Sequence, residues 1–364
     1  MGIDEIKKII RDCGIVGVGG DGFPTHLKMD SQVHTILLNC AECEPLLKVH
    51  QRLLACYPNE ILSALGKLSD ILDASVVIAI KKNYKAAISA VSFKLEPRMK
   101  LALLDDIYPV GDEIVLIYEA LGTVIQPGTL PIESGCMVLN VETAYNIYNA
   151  LEQGLPVTQK WVTIIGEVEN PSIVLIPLGT TIEEAVKQAG NITVENPAFI
   201  TGGPMMGGRA FPSDEIKKTT NAVLVLPNDH MLAQKSMKKV NNADINRIAS
   251  ACCQCRTCTD MCPRYLLGYP IEPHKIMQAS CSRYYSSEAF HGIMYCSLCG
   301  LCEMIACPQS LSPRSLNKII KTSLIENGIK PKKLEAALVS DARKYRYVNT
   351  NRLVMRLGLA KYEV

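Results

Sequence analysis

Ten of the chain's 15 cysteines fall between residues 252 and 307, and eight of them form two similar motifs. Three thiolates separated by two residues each can bind three irons of a cubane cluster, while a fourth cysteine followed by proline binds the partner cluster. The spacing therefore predicts two [4Fe-4S] clusters. The ligands of one would be Cys252, Cys255, Cys258 and Cys307, and those of the other Cys262, Cys296, Cys299 and Cys302.

Zinc is the alternative interpretation, because paired Cys-x2-Cys units also occur in zinc ribbons. Two sets of three plus a Cys-Pro would leave each zinc site with an unexplained extra ligand, which favours iron–sulfur clusters. The second motif has four residues rather than three before its last cysteine, and we expect the added residue to be looped out. No chemistry is assigned to the other cysteines, which are Cys13, Cys40, Cys43, Cys56, Cys136, Cys253 and Cys281.

A glycine-rich loop follows the first predicted element. The apolar spacing of residues 3–13 predicts an amphipathic helix. After it, Gly17, Gly19, Gly20 and Gly22 formally match G-x-G-x-x-G, but the dinucleotide motif needs a preceding strand and a following helix. A helix precedes this loop, so an ordinary dinucleotide site is disfavoured. Residues without side chains still let backbone N–H groups approach a phosphate.

The elements that must position these residues alternate between apolar runs and helical patterns through residues 1–157. This β-α-β-α order predicts an α/β domain with a largely parallel sheet covered by helices. The predicted strands are His34–Leu38, Ser75–Ile80, Lys100–Leu104 and Met137–Val141, and the predicted helices cover residues 46–70, 83–93, 112–121 and 142–153.

The pattern changes after residue 157. Residues 158–228 predict a small α+β module with a hairpin, a short helix and two further strands. Residues 229–320 lead into and contain the cysteine motifs, and residues 321–364 form a basic C-terminal tail with ten Lys/Arg and four Asp/Glu, predicted to be a solvated helix face. The predicted elements of the module are Trp161–Val168, Ile173–Ile176, the helix Ile182–Ala189, Ala198–Thr201 and Ala222–Leu226.

Composition narrows the functional class. The chain has 364 residues, 48% of them hydrophobic and 20% charged, with a formal net charge of +2. These values are typical of a globular protein of two or three domains, and the small net charge predicts no nucleic-acid partner. No apolar run is long enough for a membrane span, and the first residues predict no secretory signal. A cytoplasmic location follows, where clustered thiols favour metal binding over disulfides.

Four segments resemble the flavin site of one family, which includes the complex I 51-kDa subunit and the Rnf complex C subunit. Gly22–Lys28 resembles its flavin- and NADH-binding loop, and three further segments follow in the family's order: Asn39–Pro45, Tyr108–Glu113 and Asn140–Thr143. Later segments resemble a soluble-ligand-binding β-grasp module. The resemblance implies a Rossmann-like flavin domain with a parallel sheet, a small β-grasp (α+β) module and a helical two-cluster ferredoxin-like domain.

The same resemblance implies FMN as a cofactor and NADH as the electron donor. The four glycines and Lys28 would surround the FMN phosphate, and Phe23 would either stack on a ring or pack in the core. No catalytic acid or base is assigned, and Asp21 departs from the family's usual alanine. The residues implied to hydrogen-bond the flavin or the nicotinamide nucleotide are Asn39, Glu42, Glu44, Glu113, Asn140 and Thr143.

Cys258–Gly268 and the segments 344–346 and 356–359 are most similar to the cobalamin-reductase branch of the family. This resemblance implies NADH-dependent reduction of cob(III)alamin, with cobalamin or a corrinoid-handling protein as the acceptor. It further implies a cytoplasmic location, which includes the interior of a bacterial microcompartment. The partner there would be the compartment shell or another enzyme. The alternative is an Rnf C subunit-like module that passes electrons to another partner reductase without oxidising NADH itself.

Overall fold

The computed structural model describes residues 2–20, 22–42, 44–237, 240–281, 287–335 and 338–363. Asp21, which departs from the family's alanine, and Cys43, one of the cysteines without assigned chemistry, lie outside the described residues. No helix within these ranges is long and apolar enough to cross a bilayer.

The first domain is built on a four-stranded parallel sheet in the order β3-β2-β1-β5, which confirms the predicted parallel sheet. Strands β1, β2 and β5 are almost wholly buried, and strands covered on both faces read in the sequence as continuous apolar runs. The strands are β1 (Thr35–Cys40), β2 (Ser75–Lys81), β3 (Met99–Leu104), the short β4 (Ile107–Tyr108) and β5 (Cys136–Asn140).

Helices cover this sheet at the predicted places, with one difference. The single helix expected over residues 46–70 is two helices, since Pro58 has no N–H to continue the first and instead occupies the first turn of the second. The helices of this domain are α1 (Ile3–Asp12), α2 (Val49–Cys56), α3 (Pro58–Leu72), α4 (Lys85–Ser92), α5 (Glu113–Leu121) and α6 (Val141–Gln153), with a 3-10 turn at Thr25–Lys28 and another at Pro131–Ser134.

The second module is a five-stranded sheet in the order β7-β6-β10-β8-β9. The predicted hairpin is confirmed as the antiparallel pair β6–β7, and only β6 and β10 run parallel. Thr181 and Glu184 form a capping box at the start of α7, which is shorter than expected. The elements are β6 (Gln159–Gly166), β7 (Ser172–Pro177), α7 (Ile182–Lys187), β8 (Pro197–Thr201), β9 (Gly208–Ala210) and β10 (Ala222–Pro227).

The cysteine region is helical, and the chain then returns to the first domain. Strand β11 pairs with β4, and Leu353 and Leu357 are fully buried, so the terminal segment is part of the packed fold. The expected boundary at residue 321 falls inside α14. The elements are α8 (Met231–Met237), α9 (Asn242–Ala251), α10 (Thr257–Asp260), α11 (Pro263–Leu266), α12 (Pro273–Cys281), α13 (Ser287–Ile293), a π turn (Cys302–Ala306), α14 (Pro313–Glu326), α15 (Arg343–Arg346), β11 (Val348–Asn349), α16 (Thr350–Arg356) and a 3-10 turn (Ala360–Tyr362).

The two faces of the first sheet are covered by different parts of the chain. One face packs on the domain's own helices. The other face, including Leu37 and Val138, shares a core with α5 and with Ile276 and Ile293 of the cysteine region. Burial of apolar side chains in this shared core holds the cysteine region directly against the sheet.

Candidate functional site

A cavity of about 570 Å³, called here the first cavity, opens near the carboxyl ends of β1 and β5. The strand order reverses at this place, because β2 lies on one side of β1 and β5 on the other. Ligands of open parallel sheets bind at such a switch point. Asn39 of β1 and Asn140 of β5 both line the first cavity.

The glycine loop forms one wall and is held by one bond of its own and by two neighbouring segments. The Gly17 N–H donates to the Phe23 carbonyl at 2.8 Å and closes the loop. The Thr143 hydroxyl donates to the Val16 carbonyl at 3.3 Å, and the Asn221 amide donates to the Val18 carbonyl at 2.8 Å. The loop is therefore anchored by α6 and by the second module.

The side of the loop that faces Asn140 requires a residue without a side chain. A Cβ at Gly19 would come within 2.8 Å of the Asn140 amide nitrogen. Since Gly19 and Asn140 both line the first cavity, any larger residue at position 19 would displace a polar group from its wall.

A cation and an aromatic ring lie beside the loop. Lys28 Nζ lies 3.1 Å from Glu113 Oε1 and 3.1 Å from the Val138 carbonyl oxygen. The Phe23 ring, with its centroid 5.8 Å from Lys28 Nζ, is 38% exposed and lines the first cavity rather than the core. A glycine loop, a cation and an exposed ring in one cavity wall are groups that suit a flavin nucleotide.

Two residues that the sequence did not single out also belong to this wall. Asp112 accepts from the Val115 N–H at 3.2 Å, which caps α5, and its other oxygen lies 2.9 Å from Arg264. Both Asp112 and Arg264 line the first cavity. Each lies within a segment that resembles the family, but nothing in their spacing indicates that they pair.

A second cavity of about 220 Å³ lies between the first domain and the second module. Glu42 accepts from the backbone N–H of His50 at 2.6 Å, near the start of α2. Glu44 accepts from the backbone N–H groups of Met205 and Met206, each at 2.7 Å. Burial raises the pKa of Glu44 to about 8. These two carboxyl groups thus hold backbone in place and line the second cavity.

The twelve cofactor residues expected from the resemblance are therefore divided. Gly22 and Thr143 line neither cavity, and Gly19 lines both. The first cavity is lined by Gly17, Gly19, Phe23, Lys28, Asn39, Glu113 and Asn140. The second cavity is lined by Gly19, Gly20, Glu42 and Glu44.

The eight motif cysteines line two small cavities, four in each. The proximal set, so named because Cys296 and Cys299 also line the first cavity, surrounds one of them. The distal set surrounds the other, whose lining shares no residue with the first cavity. The proximal set comprises Cys262, Cys296, Cys299 and Cys302. The distal set comprises Cys252, Cys255, Cys258 and Cys307.

Thiols of one set affect each other's protonation. Burial, together with Cys255, Cys252 and Cys307, raises the pKa of Cys258 to about 12. Burial and the nearby Cys299 likewise raise the pKa of Cys262. Four thiolates around one small cavity would repel one another, so the arrangement fits a cationic metal cluster that neutralises them together.

The two motifs share a backbone conformation as well as a spacing. Gln254 and Arg256 in the first, and Leu298 and Gly300 in the second, occupy matching positions with φ of 53°, 65°, 58° and 86°. Left-handed residues at both places wrap the chain around the enclosed space. The repeat seen in the sequence is therefore also a structural repeat.

The added residue of the second motif is not looped out. Cys302–Ala306 forms a π turn where the first motif has the short helix α10. A π turn accommodates one more residue than an α turn without breaking the helical path. Within this turn, the Glu303 carboxylate accepts from the Ser315 N–H at 2.9 Å and so supports the start of α14.

Side chains from outside the proximal loop, residues 296–302, bind three of its carbonyl groups. The Tyr108 hydroxyl donates to the Cys299 carbonyl at 2.6 Å. From α14, Arg314 donates to the Leu298 carbonyl at 2.9 Å, and Lys321 to the Cys296 carbonyl at 2.7 Å. Arg314 also donates to the Met206 carbonyl at 2.8 Å. The proximal loop is therefore fixed by the first domain, by α14 and, through Arg314, by the second module.

Comparison with protein families matches each of the three regions. Residues 10–149 match the Nuo51 FMN-binding domain, residues 161–208 the SLBB domain and residues 251–312 a 4Fe-4S dicluster domain. The dicluster match decides for two [4Fe-4S] clusters over the zinc alternative.

Two curated relatives match nearly all of this chain, and a third matches about three quarters of it. The chain is 38% identical to cobalamin reductase PduS of Salmonella typhimurium over 100% of this chain and 80% of the relative. The chain is 37% identical to cobalamin reductase PduS of Citrobacter freundii, over 98% of this chain and 79% of the relative. The C subunit of the Na⁺-translocating ferredoxin:NAD⁺ oxidoreductase complex of Acetobacterium woodii is 31% identical, over 73% of this chain and 59% of the relative.

A solved structure shares the fold. An NAD⁺-reducing [NiFe]-hydrogenase in the H2-reduced state superposes with a TM-score of 0.57 at 18% identity, covering 91% of this chain and 63% of that one. The three domain matches follow one another along the chain in the order flavin domain, SLBB domain and dicluster domain. The chain belongs to the complex I 51-kDa/RnfC-like family of FMN and iron–sulfur oxidoreductases that includes cobalamin reductase PduS.

Proposed function

We propose that this flavin and iron–sulfur oxidoreductase takes electrons from NADH and reduces cob(III)alamin stepwise to cob(II)alamin and cob(I)alamin, in support of a corrinoid-dependent enzyme. The supporting observation is that Cys296 and Cys299 line the same cavity as Gly17 and Gly19 of the glycine loop. A cavity suited to a flavin and a cysteine set thus share a boundary. NADH donates two electrons as hydride, which matches the two electrons that cob(III)alamin requires.

In this proposal, the first cavity holds FMN. Gly17, Gly19 and Lys28 would face its phosphate, Phe23 would contact a ring, and Asn140 would supply an amide. Bound flavin exchanges electrons in pairs with a nicotinamide and singly with iron–sulfur clusters. The contribution of the chain is to position these groups and to keep Lys28 within reach of the carbonyl of β5 and of Glu113.

The two cysteine sets would hold the two clusters in a defined order. Cys262, Cys299 and Cys302 of the proximal set are buried, whereas Cys255 of the distal set is exposed. The proximal set borders the first cavity, and the distal set opens towards solvent. We therefore propose that the cluster of the proximal set takes electrons from the flavin. The cluster of the distal set would pass them to the corrinoid or to a corrinoid-handling protein.

The setting is proposed from similarity to PduS cobalamin reductases. It is cytoplasmic, inside a bacterial microcompartment, close to the shell or to a partner enzyme. Co-purification of intact compartments with the tagged chain tests this part separately from the chemistry.

The test of function uses protein purified without oxygen. Flavin and iron are measured, NADH is added, and the visible spectrum is followed with and without hydroxocobalamin. We expect bleaching of flavin and clusters, followed by the spectrum of reduced corrinoid. Bleaching without a corrinoid change would exclude this acceptor, and no response to NADH would favour the Rnf C subunit-like module.

A matched pair of variants tests the site. Lys28→Ala removes the cation of the first cavity and should weaken FMN binding roughly tenfold to hundredfold, the range for losing a charged hydrogen-bond donor. Lys100→Ala makes the same change at an exposed position on β3 and should bind FMN normally. Equal FMN affinity of the two variants would remove Lys28 from the flavin site.

A further inference from the structure

We propose that one face of α14, formed by Arg314, Asn317 and Lys321, raises the reduction potential of the proximal cluster and so offsets the effect of its burial. This inference rests on the proposed function in one respect, the assignment of the proximal cysteine set as the ligands of one cluster. It concerns side chains that are not ligands.

The three residues share a face because they are three and four positions apart on a helix. Arg314 and Lys321 donate to the carbonyls of Leu298 and Cys296 at 2.9 and 2.7 Å. Between them, the Asn317 amide nitrogen lies 3.7 Å from the Cys296 sulfur, within hydrogen-bonding range for sulfur. All three side chains therefore end on the proximal loop.

Asn317 is poorly explained by packing alone. It is 0% exposed, and its amide oxygen is buried without a hydrogen-bond partner in the described part of the chain. An unpaired buried oxygen costs free energy that an apolar residue of the same size would avoid. What Asn317 provides in return is an N–H donor directed at a cluster ligand.

The expected direction follows from charge. Reduction adds a negative charge to a cluster, and a low-dielectric surrounding opposes that charge. An N–H donor to a ligand sulfur and nearby cations stabilise the reduced form, and hydrogen bonds to sulfur and net charge are among the factors that set cluster potentials. The α14 face thus keeps a buried cluster reducible.

Among the described residues, the distal set lacks this arrangement. Its sulfurs receive hydrogen bonds from Gln254 and Thr257 of its own loop, and from the Leu311 backbone. The nearby cation, Arg256, is exposed and paired with Asp260 at 3.2 Å. Solvent screens such a charge. Substitutions of Asn317 and Lys321 should therefore change the potential of the proximal cluster and leave that of the distal cluster unchanged.

The experiment is a redox titration of both clusters, followed by electron paramagnetic resonance, in the anaerobically purified full chain. The variants are Asn317→Leu and Lys321→Met. Lys318→Met is the matched control, because it removes the same charge from an exposed position on the same helix. The signal that disappears in Cys262→Ser identifies the proximal cluster.

We expect Asn317→Leu and Lys321→Met each to shift the proximal midpoint potential to a more negative value, with the distal potential unchanged and Lys318→Met silent. Unchanged proximal potentials in both variants, with both clusters present, would overturn the inference. If Asn317→Leu loses its cluster, Lys321→Met alone decides. An absence of clusters from the wild-type protein would instead contradict the proposed function.

Discussion

The two cluster loops have the same cysteine spacing and matching left-handed positions, yet their surroundings differ. Three carbonyls of the proximal loop are bound by Tyr108, Arg314 and Lys321, side chains from outside the loop. The distal loop exposes Cys255 and Arg256 to solvent. Its neighbouring core is small and consists of Ile248, Met277, Leu311 and Leu316. One loop conformation thus serves an interior site and a surface site.

The difference shows that the motif specifies how a cluster is wrapped, while the rest of the fold specifies where it lies. Cys262 and Cys296 belong to the core shared with the first sheet, and Cys299 packs in the core around the second module. The proximal loop is therefore part of the interface between domains. We expect the same chemical change to cost more there than in the distal loop.

The largest expected difference is between Cys299→Ser and Cys255→Ser. Each should lose about half of the iron, since one of two clusters loses a ligand. Cys299→Ser should also lower the melting temperature markedly, because metal binding contributes directly to folding and its loop joins three parts of the molecule. Cys255→Ser should keep the fold and NADH-dependent flavin reduction but lose acceptor reduction. Iron analysis, thermal unfolding and the spectral assay measure these effects.

Two results would contradict this contrast. Equal losses of melting temperature in the two variants would show that the proximal loop has no special structural role. Unchanged acceptor turnover in Cys255→Ser would remove the distal cluster from the electron path.

A smaller difference is expected at the matching positions 300 and 256. At Gly300, φ is 86° and a Cβ would come within 3.1 Å of the Met205 carbonyl oxygen, so Gly300→Ala should lose about 1–2 kcal/mol or more of stability. Arg256 has φ of 65° and is exposed. Arg256→Gly relieves the left-handed strain but loses the ion pair with Asp260 and the contact with Tyr265, so its net effect should stay within about 1 kcal/mol. Equal destabilisation in thermal unfolding would contradict the comparison.

The sequence predicted those elements whose signal lies within a short stretch of the chain. The parallel strands were found because buried strands are apolar runs, and the hairpin because a turn signal separates two such runs. The spacing of the motif cysteines also predicted two sets of four, and each set lines one cavity. The break between α2 and α3 has a sequence signal of its own in Pro58, although the apolar pattern around it predicted one continuous helix.

Features that depend on distant pairs were not predictable in this way. The strands β4 and β11 have two residues each, too few for any periodicity, and they meet only because the chain end returns. The ion pair of Arg264 with Asp112 likewise joins segments far apart in sequence. So do the hydrogen bonds that Glu44 accepts from Met205 and Met206. Resemblance indicated that Glu44 is important, but the contacts it makes required the structure.

The last expected effect concerns Glu44, which reaches the proximal loop only indirectly, because the carbonyl of Met206, whose N–H it accepts, in turn accepts from Arg314. Burial raises the pKa of Glu44 from 4.5 to about 8, so between these values the folded chain retains a proton that the unfolded chain has released. The free energy of unfolding should therefore decrease as pH rises through this window, by at most about 1.4 kcal/mol per pH unit. Glu44→Gln, neutral at every pH, should flatten the decline in melting temperature, whereas Glu195→Gln at an exposed position should retain it. Parallel profiles for wild type and Glu44→Gln would show that protonation of this carboxyl does not contribute to the pH dependence of stability.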